Sequence, residues 1–116
     1  MSTAIDTPPV QIVQQHLEAL NAHDLGVFCA LCDREIRVED ADGTLLLNGI
    51  AEFRAWYSSH FADNPELKSD LLDRISLGDW VIDENLVTGF ADGSQLHVVI
   101  TMRVAHGLIQ LMRVIR

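Results

Sequence analysis

Three side chains in this sequence are of types that transfer protons without a cofactor. Asp40 supplies a carboxylate, His16 an imidazole and Tyr57 a phenol. A carboxylate at the rim of an apolar cleft is partly desolvated, which raises its pKa and lets it exchange a proton beside a carbonyl group. A neutral imidazole or a phenol can donate a hydrogen bond to the oxyanion that then develops. The three residues predict a general base with two hydrogen-bond donors.

Each of these residues also has a purely structural interpretation. Asp40 lies just before the turn signal Asp42-Gly43, and an aspartate in that place often caps the turn with its own side chain. A single histidine on an apolar helix face, such as His16, is more often a core residue than a catalytic one. Tyr57 fits an ordinary amphipathic helix whose hydroxyl reaches water. Both interpretations remain open for all three residues.

Cys29 and Cys32 form a C-x-x-C pair, which raises the question of metal or redox chemistry. Zinc needs two further ligands, and the five histidines occur singly, without the paired spacing of zinc ligands. A redox pair of this kind lies where a strand of a parallel sheet meets a helix, and no parallel sheet is predicted. Two cysteines three residues apart in a short helix are more simply small core residues. We therefore expect no metal and no cofactor.

Charge and hydropathy exclude several classes of partner. The 116 residues include 17 acids and 8 Lys and Arg, and the net charge of −9 repels nucleic acids and anionic membranes. No apolar run approaches the ~18 residues of a membrane span. Residues 1–6 lack a signal-peptide pattern, and we expect them to form a disordered lead. Because no secretory signal is seen, the two cysteines indicate reduced thiols and a cytoplasmic location. Residues 7–116 are expected to form a single domain.

Hydrophobic periodicity predicts three helices in the first half of the chain. The first begins at the proline pair 8–9, and its apolar residues recur at spacings of three and four, with His16 and Leu20 on or near that face. Asp24 can cap a shorter second helix. The third helix is expected over about 50–62. It carries Phe53, Trp56, Tyr57 and His60 near one face.

Alternating apolar residues predict strands between and after these helices. One strand over 35–39 ends beside Asp40, and Leu45-Leu46-Leu47 forms its short return. Four further strands are predicted near 68–77, 79–90, 94–105 and 107–115. Because helices come first and an antiparallel meander follows, the fold class is α+β, with the helices packed on one sheet face. A sheet that curls over three helices leaves a cleft, which is a natural ligand site.

Several sequence strings occur together with this order of elements. They are Val13 to Leu25, Val38-Glu39-Asp40-Ala41-Asp42-Gly43, Gly49 before the third helix, Gly78-Asp79-Trp80-Val81 and the Gly107 hairpin. The strings and the order of elements resemble the superfamily of nuclear transport factor 2, ketosteroid isomerase and the SnoaL-like polyketide cyclases. The resemblance runs from about Pro9 to Arg116 and implies a cone-shaped fold in which a curved antiparallel sheet encloses an apolar cleft.

The resemblance can be followed position by position. The general base of the isomerases falls on Asp40 and a buttressing tyrosine on Tyr57, so both are kept. The tyrosine that binds the oxyanion falls on His16, and a third tyrosine falls on Cys32. The second oxyanion acid falls on or beside Ile100 and is absent, which argues against steroid isomerisation itself. The resemblance implies an isomerase, cyclase or lyase acting on a small hydrophobic carbonyl compound, and the alternative is a non-catalytic module that binds a small molecule or a protein.

The resemblance also assigns the two faces of the strand over 94–105. Alternate apolar residues of this strand would line the cleft, while His97, Thr101 and Arg103 lie on the outer face. In this superfamily the outer face often forms the dimer interface, so a homodimer is expected. The residues expected to contact the ligand are Leu20, Trp56, Trp80, Val98, Ile100 and Met102.

Overall fold

The computed structural model describes residues 7–116, and the lead expected over residues 1–6 lies outside them. Within the described residues, the helices predicted from periodicity and the strands predicted from alternation are both present, with small differences in their bounds. The elements in chain order are α1 (Pro9–Asn21), α2 (Leu25–Ala30), β1 (Cys32–Asp40), β2 (Leu45–Asn48), α3 (Ile50–Asp63), β3 (Lys68–Leu77), β4 (Trp80–Thr88), β5 (Leu96–Ala105) and β6 (Leu108–Ile115).

The helix starts follow from local chemistry. Pro9 opens α1, where the missing backbone N–H has no intrahelical partner to lose. The Asp24 carboxylate accepts a hydrogen bond from the Val27 N–H at 3.1 Å, which confirms the predicted cap of α2. This helix ends at Ala30, so Cys32 begins β1 and the prediction that both cysteines lie in one helix is wrong. Both thiols are buried and free.

All six strands form one sheet in the order β2-β1-β6-β5-β4-β3. The antiparallel meander from β3 to β6 is confirmed. The pairing of β1 with β6 is parallel, which local patterns did not predict because it joins residues more than seventy positions apart. The three helices contact the sheet, and the core between the two layers includes Phe28, Ile36, Phe53, Val81 and Ile109, each almost fully buried.

The loop after β4 is held near the end of α3 by a hydrogen bond to the Asn64 side chain and by the close approach of Gly89 to Glu66. The Ala91 N–H donates to the Asn64 side-chain oxygen at 2.9 Å, and the Gly93 N–H donates to the Phe90 carbonyl at 2.8 Å. Gly89 has a positive φ of 83°, and a Cβ added there would overlap the carbonyl of Glu66. Only glycine allows the two backbones to approach so closely.

We predict that Gly89→Ala lowers the free energy of unfolding by more than about 3 kcal/mol, because it adds an overlap with backbone to the strain of a positive φ. Gly93→Ala is the matched control, since φ is 80° there and nothing lies within 4 Å of an added Cβ. It should cost about 1 kcal/mol, the φ strain alone. Urea unfolding of the two variants measures the difference, and equal losses would contradict the close approach at Gly89.

Candidate functional site

The Asp40 carboxylate lies at the end of β1, on the face that carries buried Val38. Its Oδ1 accepts a hydrogen bond from the Ala41 N–H at 2.9 Å, and its backbone closes the turn through Gly43 and Thr44. Asp40 Oδ2 accepts no hydrogen bond from residues 7–116. One oxygen therefore caps the turn, as the structural interpretation predicted, while the other remains available on the half-buried inner face.

The strand register places Asp40 in a continuous row of inward-facing residues across the sheet. Asp40 pairs with Val114, Val114 with Ile100, Ile100 with Asp83, and Asp83 with Arg74. We call these five residues the central row. Neighbouring strands lie about 4.8 Å apart, so Asp40 and Asp83 are separated by three spacings, or about 14 Å along the sheet. The row thus has a carboxylate on either side of an apolar middle.

The far end of the central row is an ion pair that sequence reasoning missed. Arg74 donates to both carboxylate oxygens of Asp83, from Nε at 2.6 Å and from Nη2 at 2.9 Å, and its Nη1 donates to the Gln14 side-chain oxygen at 2.9 Å. Asp83 is only 2% exposed, and this carboxylate raises the pKa of the guanidinium. The sequence contained a signal for this ion pair, because Asp83 occupies an inward position of β4 between the apolar residues Val81 and Val87.

His16 is a core residue in the structure. Its ring stacks on Phe28 with the centroids 3.8 Å apart, and its Nε2 lies 3.7 Å from the Cys32 sulfur. Burial lowers the pKa of His16 to about 3, so the imidazole is neutral at physiological pH. These contacts agree with the structural interpretation of this histidine.

His16 and Asp40 are held at opposite ends of β1. His16 contacts Cys32, whose partner on β6 is Ile109, whereas Asp40 pairs with Val114. The two β6 partners are five residues apart, which corresponds to about 16 Å of strand. Within residues 7–116 no hydrogen bond or ion pair joins His16 to Asp40.

Tyr57 lies beside the aromatic core on α3. Its ring centroid is 4.7 Å from that of Phe28 and 4.7 Å from that of Phe53. Phe28 thus contacts both His16 and Tyr57, and no hydrogen bond joins the latter two among the described residues. Burial raises the pKa of the Tyr57 phenol, so its hydroxyl stays protonated and remains a donor at neutral pH.

The predicted ligand-contacting residues divide between two faces. Val98 and Met102 are buried on the inner face of β5, and Ile100 and Leu20 are half-buried. Trp80 pairs with Arg103 and is 41% exposed on the outer face of the sheet. The structure therefore separates it from the inner wall, our name for the inward-facing residues of the sheet that include the central row, Val98 and Met102. The reason is that residues of β4 alternate between the two faces, so Trp80, the neighbour of inward-facing Val81, faces outward.

Exposed Trp56 forms an aromatic pair with half-buried His60 in the C-terminal half of α3. The two rings stack with centroids 4.4 Å apart, and Phe90 lies 6.0 Å from His60. Asn64 donates to His60 Nδ1 at 3.3 Å, which leaves Nε2 as the protonated nitrogen. Burial lowers the pKa of His60. His60 is a second polar group on α3 that the sequence placed near the face of Tyr57 without assigning it a role.

Other features of the described residues bear on ligands and partners. Between residues 7 and 116, no group of three His, Cys, Asp or Glu side chains is placed to hold a metal ion. None of the helices in this part of the chain has the length and apolar character to cross a bilayer. Open surface depressions lie away from the inner wall, and one of about 550 Å³ is lined by Ala30, Cys32, Asp33, Arg34, Glu35 and Leu108.

We predict that His16 makes stability depend on pH. The unfolded chain binds a proton on His16 below pH 6.5, whereas the native state resists protonation down to about pH 3, so stability is lost as pH falls between these values. At pH 5 the loss from this residue is about 2 kcal/mol relative to pH 7.5. Urea unfolding of His16→Leu should show a decline smaller by that amount. The control His106→Asn alters an exposed histidine and should keep the wild-type decline, and an unchanged decline in His16→Leu would contradict the buried neutral state.

Solved structures of the same fold are similar to this chain over almost its whole length. An uncharacterized cystatin-fold protein from Novosphingobium aromaticivorans superimposes with a TM-score of 0.87 at 19% identity, covering 95% of this chain and 99% of that one. RV0760c from Mycobacterium tuberculosis, in complex with estradiol-17β-hemisuccinate, has a TM-score of 0.78 at 24% identity, covering 93% of each chain. A computationally designed 17-OHP binder has a TM-score of 0.79 at 22% identity, covering 93% of this chain and 92% of that one.

A family model provides the assignment at the level of sequence. None of the curated proteins compared with the chain matches it. The model of the SnoaL-like domain matches residues 13–112, a span that begins within α1 and reaches into β6. The resemblance described above is confirmed, as is the α+β fold of three helices on a curved six-stranded sheet. The chain belongs to the SnoaL-like domain family, within the fold of nuclear transport factor 2 and ketosteroid isomerase.

Proposed function

We propose that this protein binds a small apolar carbonyl compound against its inner wall and that Asp40 transfers a proton on that compound. The observation that carries the proposal is the central row, in which the available Asp40 oxygen shares one face with Val114 and Ile100. An apolar surface beside a carboxylate favours an uncharged ligand and strengthens electrostatic effects on the reacting atoms. No anionic group is needed on the ligand, which suits a chain of net charge −9.

The proton transfer needs one base and one donor. Asp40 Oδ2 would take a proton from the carbon next to the carbonyl, while the electron pair of that C–H bond moves to the carbonyl oxygen as an enolate. Return of the proton to a different carbon gives an isomer, and the carboxylate is regenerated. Tyr57, whose hydroxyl stays protonated, is the donor that the resemblance leaves for the enolate oxygen, although its ring packs on Phe28 and no contact joins it to Asp40 among the described residues. His16 stays neutral and holds the aromatic core.

Relatives of the same fold support the class of ligand. RV0760c was crystallised with estradiol-17β-hemisuccinate, and the designed protein is a 17-OHP binder. Estradiol-17β-hemisuccinate contains a large apolar framework with polar groups. We extend to this chain only that chemistry, a small and mostly hydrophobic molecule with an oxygen function.

The second candidate is binding without catalysis. The observation that favours it is the position of His16, which the isomerase resemblance placed as an oxyanion donor but which packs against Phe28 and Cys32. The Oδ1 atom of Asp40 is also engaged with the Ala41 N–H. A site with one available carboxylate oxygen can accept a hydrogen bond from a ligand without transferring a proton.

We predict that Asp40→Asn keeps ligand binding and loses proton transfer. The probe is androstenedione, an apolar diketone, and the measurement is exchange of its protons next to the carbonyls for deuterium, followed by mass spectrometry. Removing a general base should slow the protein-catalysed exchange by about 100-fold or more. The dissociation constant, measured by calorimetry, should change much less because the amide keeps the shape of the carboxylate.

Two results would change this assignment. Equal exchange rates for wild type and Asp40→Asn would contradict the role of Asp40 as base. Binding to wild type without exchange above the buffer rate would favour the non-catalytic candidate.

We also propose that the outer sheet face forms a homodimer interface. Several apolar side chains there are exposed, among them Leu77 at 81% and Ile75 at 64%, and the register joins them to Trp80 and Ile82 on β4. Contiguous exposed apolar surface on a sheet is costly in water and is typical of contact with another protein. A second copy of the same face is the occupant that the superfamily resemblance implies.

We predict that Leu77→Asp converts the dimer to a monomer, because each interface would bury two unpaired carboxylates. Sedimentation at micromolar concentration measures the mass. Val27→Asp is the control, since it places the same charge on an exposed apolar position of α2, on the opposite layer of the fold. A wild-type protein that sediments as a monomer would contradict the interface.

A further inference from the structure

Asn85 is an interior polar residue whose side-chain oxygen has no partner. The residue is only 3% exposed, and Oδ1 accepts no hydrogen bond from the residues that the structure describes. A buried acceptor without a hydrogen bond costs free energy comparable to the loss of that bond. A hydrogen-bond donor from outside the described residues would remove this cost.

The strand register places Asn85 on the same inner wall as the proposed ligand site. Asn85 pairs with Val98 on β5, two residues along β4 from the pairing of Asp83 with Ile100. Directly opposed residues of neighbouring strands share a face, so Asn85 faces inward beside the end of the central row. On β3 its partner is Leu71, where the register shifts and the pairing is irregular.

Polar contacts from α1 are made on either side of Asn85 but not to its oxygen. Gln14 accepts from Arg74, the partner of Asp83, and Asn21 exchanges two hydrogen bonds with the Ser69 backbone at 2.8 and 2.9 Å. Both oxygens of Asp83 are already engaged by Arg74. Asn85 Oδ1 is therefore the acceptor that remains at this end of the inner wall.

We infer that Asn85 Oδ1 accepts a hydrogen bond from a hydroxyl group at the far end of an elongated apolar ligand whose other end lies at Asp40. The inference rests on the proposed ligand site. Asp40 and Asn85 are separated by three strand spacings across the sheet and by two residues along β4, about 16 Å in all, with apolar Val114, Ile100 and Val98 on the wall between them. A rigid molecule with a carbonyl at one end, an apolar middle and a hydroxyl at the other end matches this pattern.

The test uses two probes that differ only at the far end. Testosterone and androstenedione share one skeleton and one ring ketone, but at the opposite end testosterone carries a hydroxyl where androstenedione carries a second ketone. Calorimetry should give wild type about fivefold tighter binding of testosterone, because only its hydroxyl can donate to Asn85. Asn85→Leu has a similar size without the acceptor and should bind the two steroids equally.

A second measurement separates this role from a structural one. If Oδ1 is unpaired in the free protein, Asn85→Leu should raise the thermal midpoint by a few degrees, since an apolar side chain replaces an unsatisfied polar one. Asn21→Leu is the matched control and should lower the midpoint, because it removes two hydrogen bonds to Ser69. A lowered midpoint for Asn85→Leu would overturn the inference, since the oxygen would then be paired within the fold.

The binding results distinguish this inference from the proposed function. Equal affinity of wild type for the two steroids overturns the role of Asn85 and leaves the ligand site in place. A preference for testosterone that persists in Asn85→Leu does the same. Failure of wild type to bind either steroid overturns both proposals.

Discussion

The parallel pairing of β1 with β6 is the contact on which the candidate site depends. It brings Asp40, at the end of an N-terminal strand, into register with Val114 near the C-terminus. Through β5 and β4 the same row continues to Ile100 and Asp83. Because paired residues of adjacent strands share a face, this one register aligns two carboxylates on the inner wall. A shift of one residue would turn Asp40 outward and leave the wall without a base.

The polar groups of the interior differ in how completely they are paired. Asp83 is matched by Arg74 through two hydrogen bonds, and breaking such a buried pair would leave an uncompensated charge. His16 avoids the cost of charge by staying neutral in the core. Asp40 and Asn85 each retain an oxygen without a partner among the described residues. Paired groups hold the fold, and the unpaired ones are where a ligand can gain hydrogen bonds.

Local patterns in the sequence predicted much of the fold. The Asp24 cap, the three helices and the meander after Pro65 depend on contacts between residues close in the chain, and the structure confirms them. Alternation divided the residues of β5 into two sets in the same way, and the resemblance assigned which set faces inward. The parallel pair of β1 and β6 depends on residues far apart, so no local pattern could reveal it.

The candidate site was harder to predict than the fold. A position taken from the resemblance put His16 at the reacting centre, but an imidazole is shorter than a phenol and here packs on Phe28. Asp83 and Asn85 were not predicted, because their importance lies in pairing with Arg74 and in burial beside β5. The position of a residue in the sequence does not reveal which groups it hydrogen-bonds to or which of its polar atoms stay unpaired.

The proposed function requires a small apolar ligand to lie against the inner wall beside Asp40. Nuclear Overhauser contacts between androstenedione and methyl-labelled protein test it most directly, because Ile100 and Val114 face inward whereas Ile75 and Leu77 face outward. We expect contacts from the steroid to the methyl groups of Ile100 and Val114. Contacts confined to Ile75 and Leu77 would contradict it, since the ligand would then lie on the opposite face of the sheet.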